Sequence, residues 1–218
     1  MKKKTSVSKS IGSISKFKCQ FSLREMYDAA VFAPRAMSKL IGNHKSKLVD
    51  KHFVERIHLA VTEVNGCALC SYGHTKMALR QGMSSEEIQS FLNGEDRFIK
   101  PEEAKAILFA QHYADSRGYP KKYAYDAIVK EYGKERAQII LSAIQMITTG
   151  NLYGIPISAF QSRLKGKPYK DSTLFYELKM QILGLLILPI AIIHGFVRSL
   201  IGLPNKRFDK STDNKSNL

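Results

Sequence analysis

Helix signals follow one another along this chain, and no convincing run of alternating apolar and polar residues interrupts them. That succession limits the fold to helices packed on helices, an all-α multihelical bundle. Helical patterns are expected at about 22–43, 46–65 and 67–81. Ser84 with Glu87 reads as a capping box opening a short helix to about Leu92. Pro101 opens a stretch to about Arg117 whose first turn carries Glu102 and Glu103, and Pro120 opens another to about Tyr132. Residues 134–164 read as one long or interrupted helix. The organisation expected is a flexible basic tail over 1–20, a helical domain over 21–170, a hydrophobic helical extension over 171–204 and a basic polar tail over 205–218. Residues 1–20 lack the apolar core of a cleavable secretory signal.

Chemistry concentrates between Glu55 and His74, where two of the three cysteines form a C-x-x-C pair, Cys67 and Cys70. Such a pair cycles between dithiol and disulfide with little backbone movement, at a rate set by whatever favours a thiolate. At about 100° per residue, Cys70 and His74 share a helical stripe with Cys67. Asn65-Gly66 is a helix-stop signal, so the favoured reading ends one helix there and starts the next at the cysteines. The dipole and free N–H groups of that first turn favour a thiolate. Val54, Ile57, Val61 and Val64 then form the apolar stripe of the earlier helix, with Glu55, His58 and Thr62 on a polar one.

The spacing Glu, eleven residues, Cys-x-x-Cys, three residues, His resembles the signature of the AhpD-like alkylhydroperoxidase branch of the carboxymuconolactone decarboxylase family. Glu55, Cys67, Cys70 and His74 fall on it, and A-L-R-Q-G-M-S-S-E-E-I resembles the family's continuation. The likeness is specific over about 53–91 and looser to about Leu164. Where many members carry a polar or aromatic residue between the cysteines, this chain has Leu69, and His58 is the candidate substitute.

The resemblance implies an AhpD-like bundle, a homo-oligomer (trimer or hexamer) and an antioxidant thiol oxidoreductase of peroxiredoxin type. Its substrates would be hydroperoxides or disulfides, and its electrons would come from an external thiol or lipoyl carrier. No bound cofactor or metal is expected. By the same analogy Cys70 is the deprotonated thiol and Cys67 the exposed partner that meets the donor. An ordinary carboxylate is about 4 pKa units too acidic to deprotonate an ordinary thiol, a gap of roughly 5–6 kcal/mol. Burial that raises Glu55 and a helix N-terminus that lowers the thiol are expected to narrow it, with His74 relaying the proton.

Other readings compete. A C-x-x-C with His74 and His58 or a glutamate is one half of a zinc site, but no second Cys/His pair follows. A lyase like the family's decarboxylases would need no redox thiol pair. Glu63 is either an acid supporting the site residues from behind or a solvated side chain. Aligning Glu55-Arg56 with Glu135-Arg136 hints at a repeat that brings Asn151, Tyr153 and Gly154 near the matching site, with Tyr153 lining the pocket or packed as an ordinary aromatic.

Composition bounds the setting. Three cysteines without a framework pattern suit a reducing, cytoplasmic location. The net charge of +15 attracts anionic surfaces, yet no aromatic-interleaved basic motif suggests specific nucleic-acid reading. Residues 182–197 carry no acidic or basic side chain, but this run is shorter than the roughly 20 residues that span a bilayer. A helix in a subunit interface is the first reading of it, and peripheral membrane contact helped by the basic tail is the second.

Overall fold

The computed structural model describes residues 15–209, which form seven α-helices with no strand among them. In chain order they are α1 (Leu23–Ser46), α2 (Lys51–Asn65), α3 (Ala68–Gln81), α4 (Ser85–Leu92), α5 (Ala104–Asp115), α6 (Lys122–Leu164) and α7 (Leu174–Leu200). The architecture is all-α, with an apolar C-terminal helix.

Local chemistry sets the boundaries. Ser22 and Glu25 form a reciprocal capping box at the start of α1, and Asp50 accepts from His52 N and Phe53 N at the start of α2. Gly66 ends α2 at φ 75°, a left-handed conformation, and the Lys18 side chain lies 2.6 Å from where a Cβ would stand. A side chain at Gly66 would therefore meet both backbone strain and a clash. Because α2 stops there, α3 begins at once with Cys67 as its N-cap. Gly133 lies outside the helical region at φ 77° and kinks α6 between the two segments expected at this point.

One expected cap is only half formed. Ser84 Oγ accepts from Glu87 N at 3.0 Å, but the Glu87 carboxylate accepts from Arg56 Nε at 2.8 Å instead of turning back to the cap. Arg56 is buried and also reaches Glu103 at 3.1 Å. A buried guanidinium needs these carboxylates more than an exposed backbone N–H does. Pro101 precedes α5 by a turn instead of opening it, because Glu103 takes the N-cap position.

Ile57, Leu59, Ile88, Ile107, Ile140 and Ile144 build the main core between α2, α4, α5 and α6. A second cluster gathers Phe17, Met26, Cys67, Leu152, Ile155 and Met180, where α1, α6 and α7 converge. Phe17 belongs to the stretch expected as a flexible tail, yet it is buried and its N–H donates to Asp171 at 3.0 Å. An aromatic side chain has more to gain from this apolar cluster than from water. At the other end Arg207 pairs with Asp28 at 2.9 Å, and the Phe208 ring lies against Tyr125. The remaining parts of both expected tails, residues 1–14 and 210–218, lie outside the described residues.

Candidate active site

Cys67 and Cys70 are joined as a disulfide at the head of α3, with Cα atoms 5.3 Å apart. Cys67 is the N-cap, and its sulfur accepts from Cys70 N at 3.2 Å. The sulfur thus sits at the positive end of the helix dipole, which stabilises a thiolate when the bond opens. One turn along α3, His74 Nδ1 lies 2.7 Å from Glu55 Oε1 on α2. His58 lies one turn after Glu55, with Nδ1 3.6 Å from Glu55 Oε2 and its ring edge-on to His74 at 4.8 Å between centroids.

The electrostatics differ from the expectation for Glu55. Burial alone pushes its carboxyl up, but the contacts with His58 and His74 outweigh burial and hold it at about 2. An ionised carboxylate only accepts hydrogen bonds, so His74 Nδ1 carries the hydrogen and donates it. That leaves Nε2 as the ring nitrogen not engaged by Glu55. Glu55 is therefore the anchor of a base, not itself a base with a raised pKa. His58 is held below the ordinary histidine range by burial and by the neighbouring His74, against the pull of Glu55. Neither of its ring nitrogens has a hydrogen-bond partner among the described residues.

The two sulfurs are exposed in the opposite sense to that implied by the family analogy. Cys67 is fully buried, whereas Cys70 is partly exposed, with Sγ 3.7 Å from Gly150 O. Cys67 lies inside the apolar cluster with Phe17, Met26, Leu152 and Ile155, while Cys70 only packs against its edge. Helix α6 closes over both sulfurs at Gly154. A Cβ there would stand 2.6 Å from Cys67 Sγ and 2.7 Å from Cys70 Sγ. Ser158 ties the two helices together by accepting from Leu69 N at 3.0 Å and donating to Gly154 O at 2.7 Å. Asn151 accepts from Thr62 at 3.1 Å, which joins α6 to α2 beside the site. Of these α6 residues the sequence marked Asn151 and Gly154 through the repeat. Ser158 carried no signal, because its role depends on a neighbour 89 residues away.

Glu63 turns away to pair with Lys18 at 2.5 Å. Tyr153 packs in the sulfur cluster as an aromatic, with its hydroxyl donating to Gly184 O of α7 at 3.2 Å. Leu69 points outward and is exposed. A cleft of about 650 Å³ opens onto Glu55 and His58 between the apolar side chains of Leu40, Val54 and Met77. Glu55, His58 and His74 also place one ligand atom each within 4.8 Å of one another. A carboxylate and two imidazoles are a donor set of the type that holds divalent metals, and this set excludes the cysteines of the half-site read above.

Residues 33–111 match the model of the carboxymuconolactone decarboxylase family. The chain is similar to that family over this segment. The carboxymuconolactone decarboxylase match contains Glu55, His58, both cysteines and His74, and ends before α6 and α7. No curated protein and no solved structure matched the chain significantly.

Proposed function

We propose that the chain is a thiol peroxidase that reduces hydroperoxides, or disulfides, through Cys67 and Cys70. The observation that carries this reading is the Cys67–Cys70 pair at the head of α3, one turn from a histidine anchored on a buried carboxylate. His74 takes the Cys70 thiol proton on Nε2, with Glu55 stabilising the imidazolium through Nδ1. The Cys70 thiolate attacks the hydroperoxide, the O–O bond breaks, and the departing alkoxide takes the proton from His74. Cys67 attacks the resulting sulfenic sulfur and water leaves, closing the disulfide. An external dithiol, of the thiol or lipoyl class, attacks at the exposed Cys70 sulfur. Cys67 departs as a thiolate at the α3 N-terminus, and the donor's second thiol frees Cys70. The sum is one hydroperoxide and one dithiol converted to an alcohol, water and the donor's disulfide.

Cys70→Ser is expected to abolish peroxide turnover, and full retention removes the assignment. Peroxide treatment of the reduced protein should cost the peptides holding Cys67 and Cys70 two hydrogens by mass spectrometry. The family's lyase chemistry makes a different forecast, since it survives Cys67→Ser and Cys70→Ser together. Homo-oligomerisation and a cytoplasmic site of action accompany this proposal, and sizing in solution tests the first.

A further inference from the structure

The helix that roofs the sulfur cluster has two unlike sides. Along its inner side Glu177, Met180, Gly184 and Ala191 are buried against α1 and α6. Gly184 O accepts from Tyr153, and Ile187 packs on the cluster that holds Cys67 and Cys70. On its outer side Ile182, Leu185, Leu186, Ile190, Ile193 and Phe196 are each more than half exposed. At about 100° per residue these six fall within an arc of roughly 140°. Phe175 and Leu200, both more than half exposed, fall in the same arc and carry the face over roughly 38 Å. A continuous exposed apolar face of that length is unusual on a monomer and marks a docking surface.

Charge identifies what covers it. From Ile182 to Val197 the helix carries no Asp, Glu, Lys or Arg, and its one histidine, His194, is hydrogen-bonded to Tyr27 at 2.8 Å. The exposed groups flanking it are mainly cations: Lys165, Lys167 and Lys170 before its start, and Lys206 after its end. The nearby acids are engaged, with Glu177 buried on Arg163 and Asp171 accepting from Phe17 N. Two copies meeting at this face would set their flanking lysines against one another, whereas an anionic lipid surface attracts them. The helix is long and apolar enough to cross a membrane by length and composition. Its inner side is held by the Arg163–Glu177 pair and by α1, so it lies along the fold and presents one face outward.

We infer that the outer face of α7 docks the protein on an anionic bilayer surface and brings the Cys67–Cys70 site to membrane lipid. The apolar side chains enter the acyl boundary while the lysines at either end meet phosphate headgroups. The sulfur cluster then lies about one helix diameter, roughly 10 Å, from the lipid. The substrate class that follows is a hydroperoxide on a lipid acyl chain, and this clause rests on the thiol-peroxidase reading.

The full-length protein is mixed with phosphatidylcholine vesicles, or with vesicles of phosphatidylcholine and phosphatidylglycerol, and floated on a density gradient. The wild type should float with the anionic vesicles and be released by salt. A variant with Leu185→Gln, Ile190→Gln, Ile193→Gln and Phe196→Gln should lose more than roughly tenfold in partitioning. A second variant, Lys165→Glu, Lys167→Glu and Lys170→Glu, leaves the apolar face intact and should weaken binding to anionic vesicles alone. Failure of the wild type to float, equal flotation of the glutamine variant, or a wild-type oligomer that this variant converts to monomer overturns the docking. Turnover is then compared on phospholipid hydroperoxide in anionic vesicles and on soluble tert-butyl hydroperoxide. Selective loss of the vesicle substrate in the glutamine variant supports the substrate class, and equal loss of both overturns it. Wild-type inactivity on both substrates refutes the thiol reading, while flotation still decides the docking.

Discussion

Glu55 and Glu177 are the two most deeply buried carboxylates among the described residues, and their partners give them different kinds of work. Glu177, in the first turn of α7, takes two hydrogen bonds from Arg163 and one from Ser172 Oγ at 2.6 Å. Glu55, in the second turn of α2, faces His74 and His58. Burial opposes ionisation at both, and in both the partners win, holding the carboxyl below its ordinary range. Arginine keeps its charge throughout the accessible pH range, so the Glu177 pair is a fixed clamp fastening α7 to the end of α6. Imidazoles gain and lose protons near neutrality, so the same burial around Glu55 makes a seat for a proton in transit. The partner, more than the depth, separates structure from chemistry.

The strongest way to break this contrast is Glu55→Gln. It preserves shape but removes the charge that stabilises the His74 imidazolium, and peroxide turnover should fall on the order of a hundredfold or more. Unchanged turnover would make Glu55 a second structural clamp. Glu177→Ala should instead lower stability by about 2–3 kcal/mol in denaturant titration, with turnover per folded molecule unchanged. The figure is set below that for a wholly buried pair because Arg163 is 27% exposed. Gly154→Ala places a methyl group against both sulfurs and should cost about 1–3 kcal/mol. It should also slow disulfide closure, read as a longer lifetime of the sulfenic acid after peroxide.

Acid titration sharpens the comparison at the smallest scale. The folded-state value of Glu55 lies below its ordinary 4.5, so its stabilisation is fully present above about pH 4.5 and is lost as pH falls toward about 2. His58 is also held low, so its contribution is present above its ordinary 6.5 and falls as acid is added below that. Glu55→Gln should flatten the lower limb of the stability curve and His58→Gln the upper one. A curve unaltered by both variants would remove the electrostatic account of the site.

Much of this arrangement could be read from local rules. The Asn65-Gly66 stop, the start of a helix at Cys67 and the return of His74 one turn after Cys70 follow from helical period and capping. The family likeness marked Glu55 as their neighbour. The state of Glu55 could not be read this way, because burial and two imidazoles pull its carboxyl in opposite directions. Which sulfur faces outward was equally hidden, since the cluster that buries Cys67 draws Phe17, Met26, Leu152 and Met180 from distant parts of the chain.

By itself the sequence determined the helical class, the run of helix boundaries and the clustering of two thiols, a carboxylate and an imidazole. Each depends on groups within a few turns of one another. Only the tertiary structure decided that Cys67 is sealed, that Glu63 pairs with Lys18 instead of joining the site, and that half of α7 stays uncovered. Those outcomes depend on which surfaces meet after the chain has folded back, and burial, charge pairing and exposure are properties of that meeting.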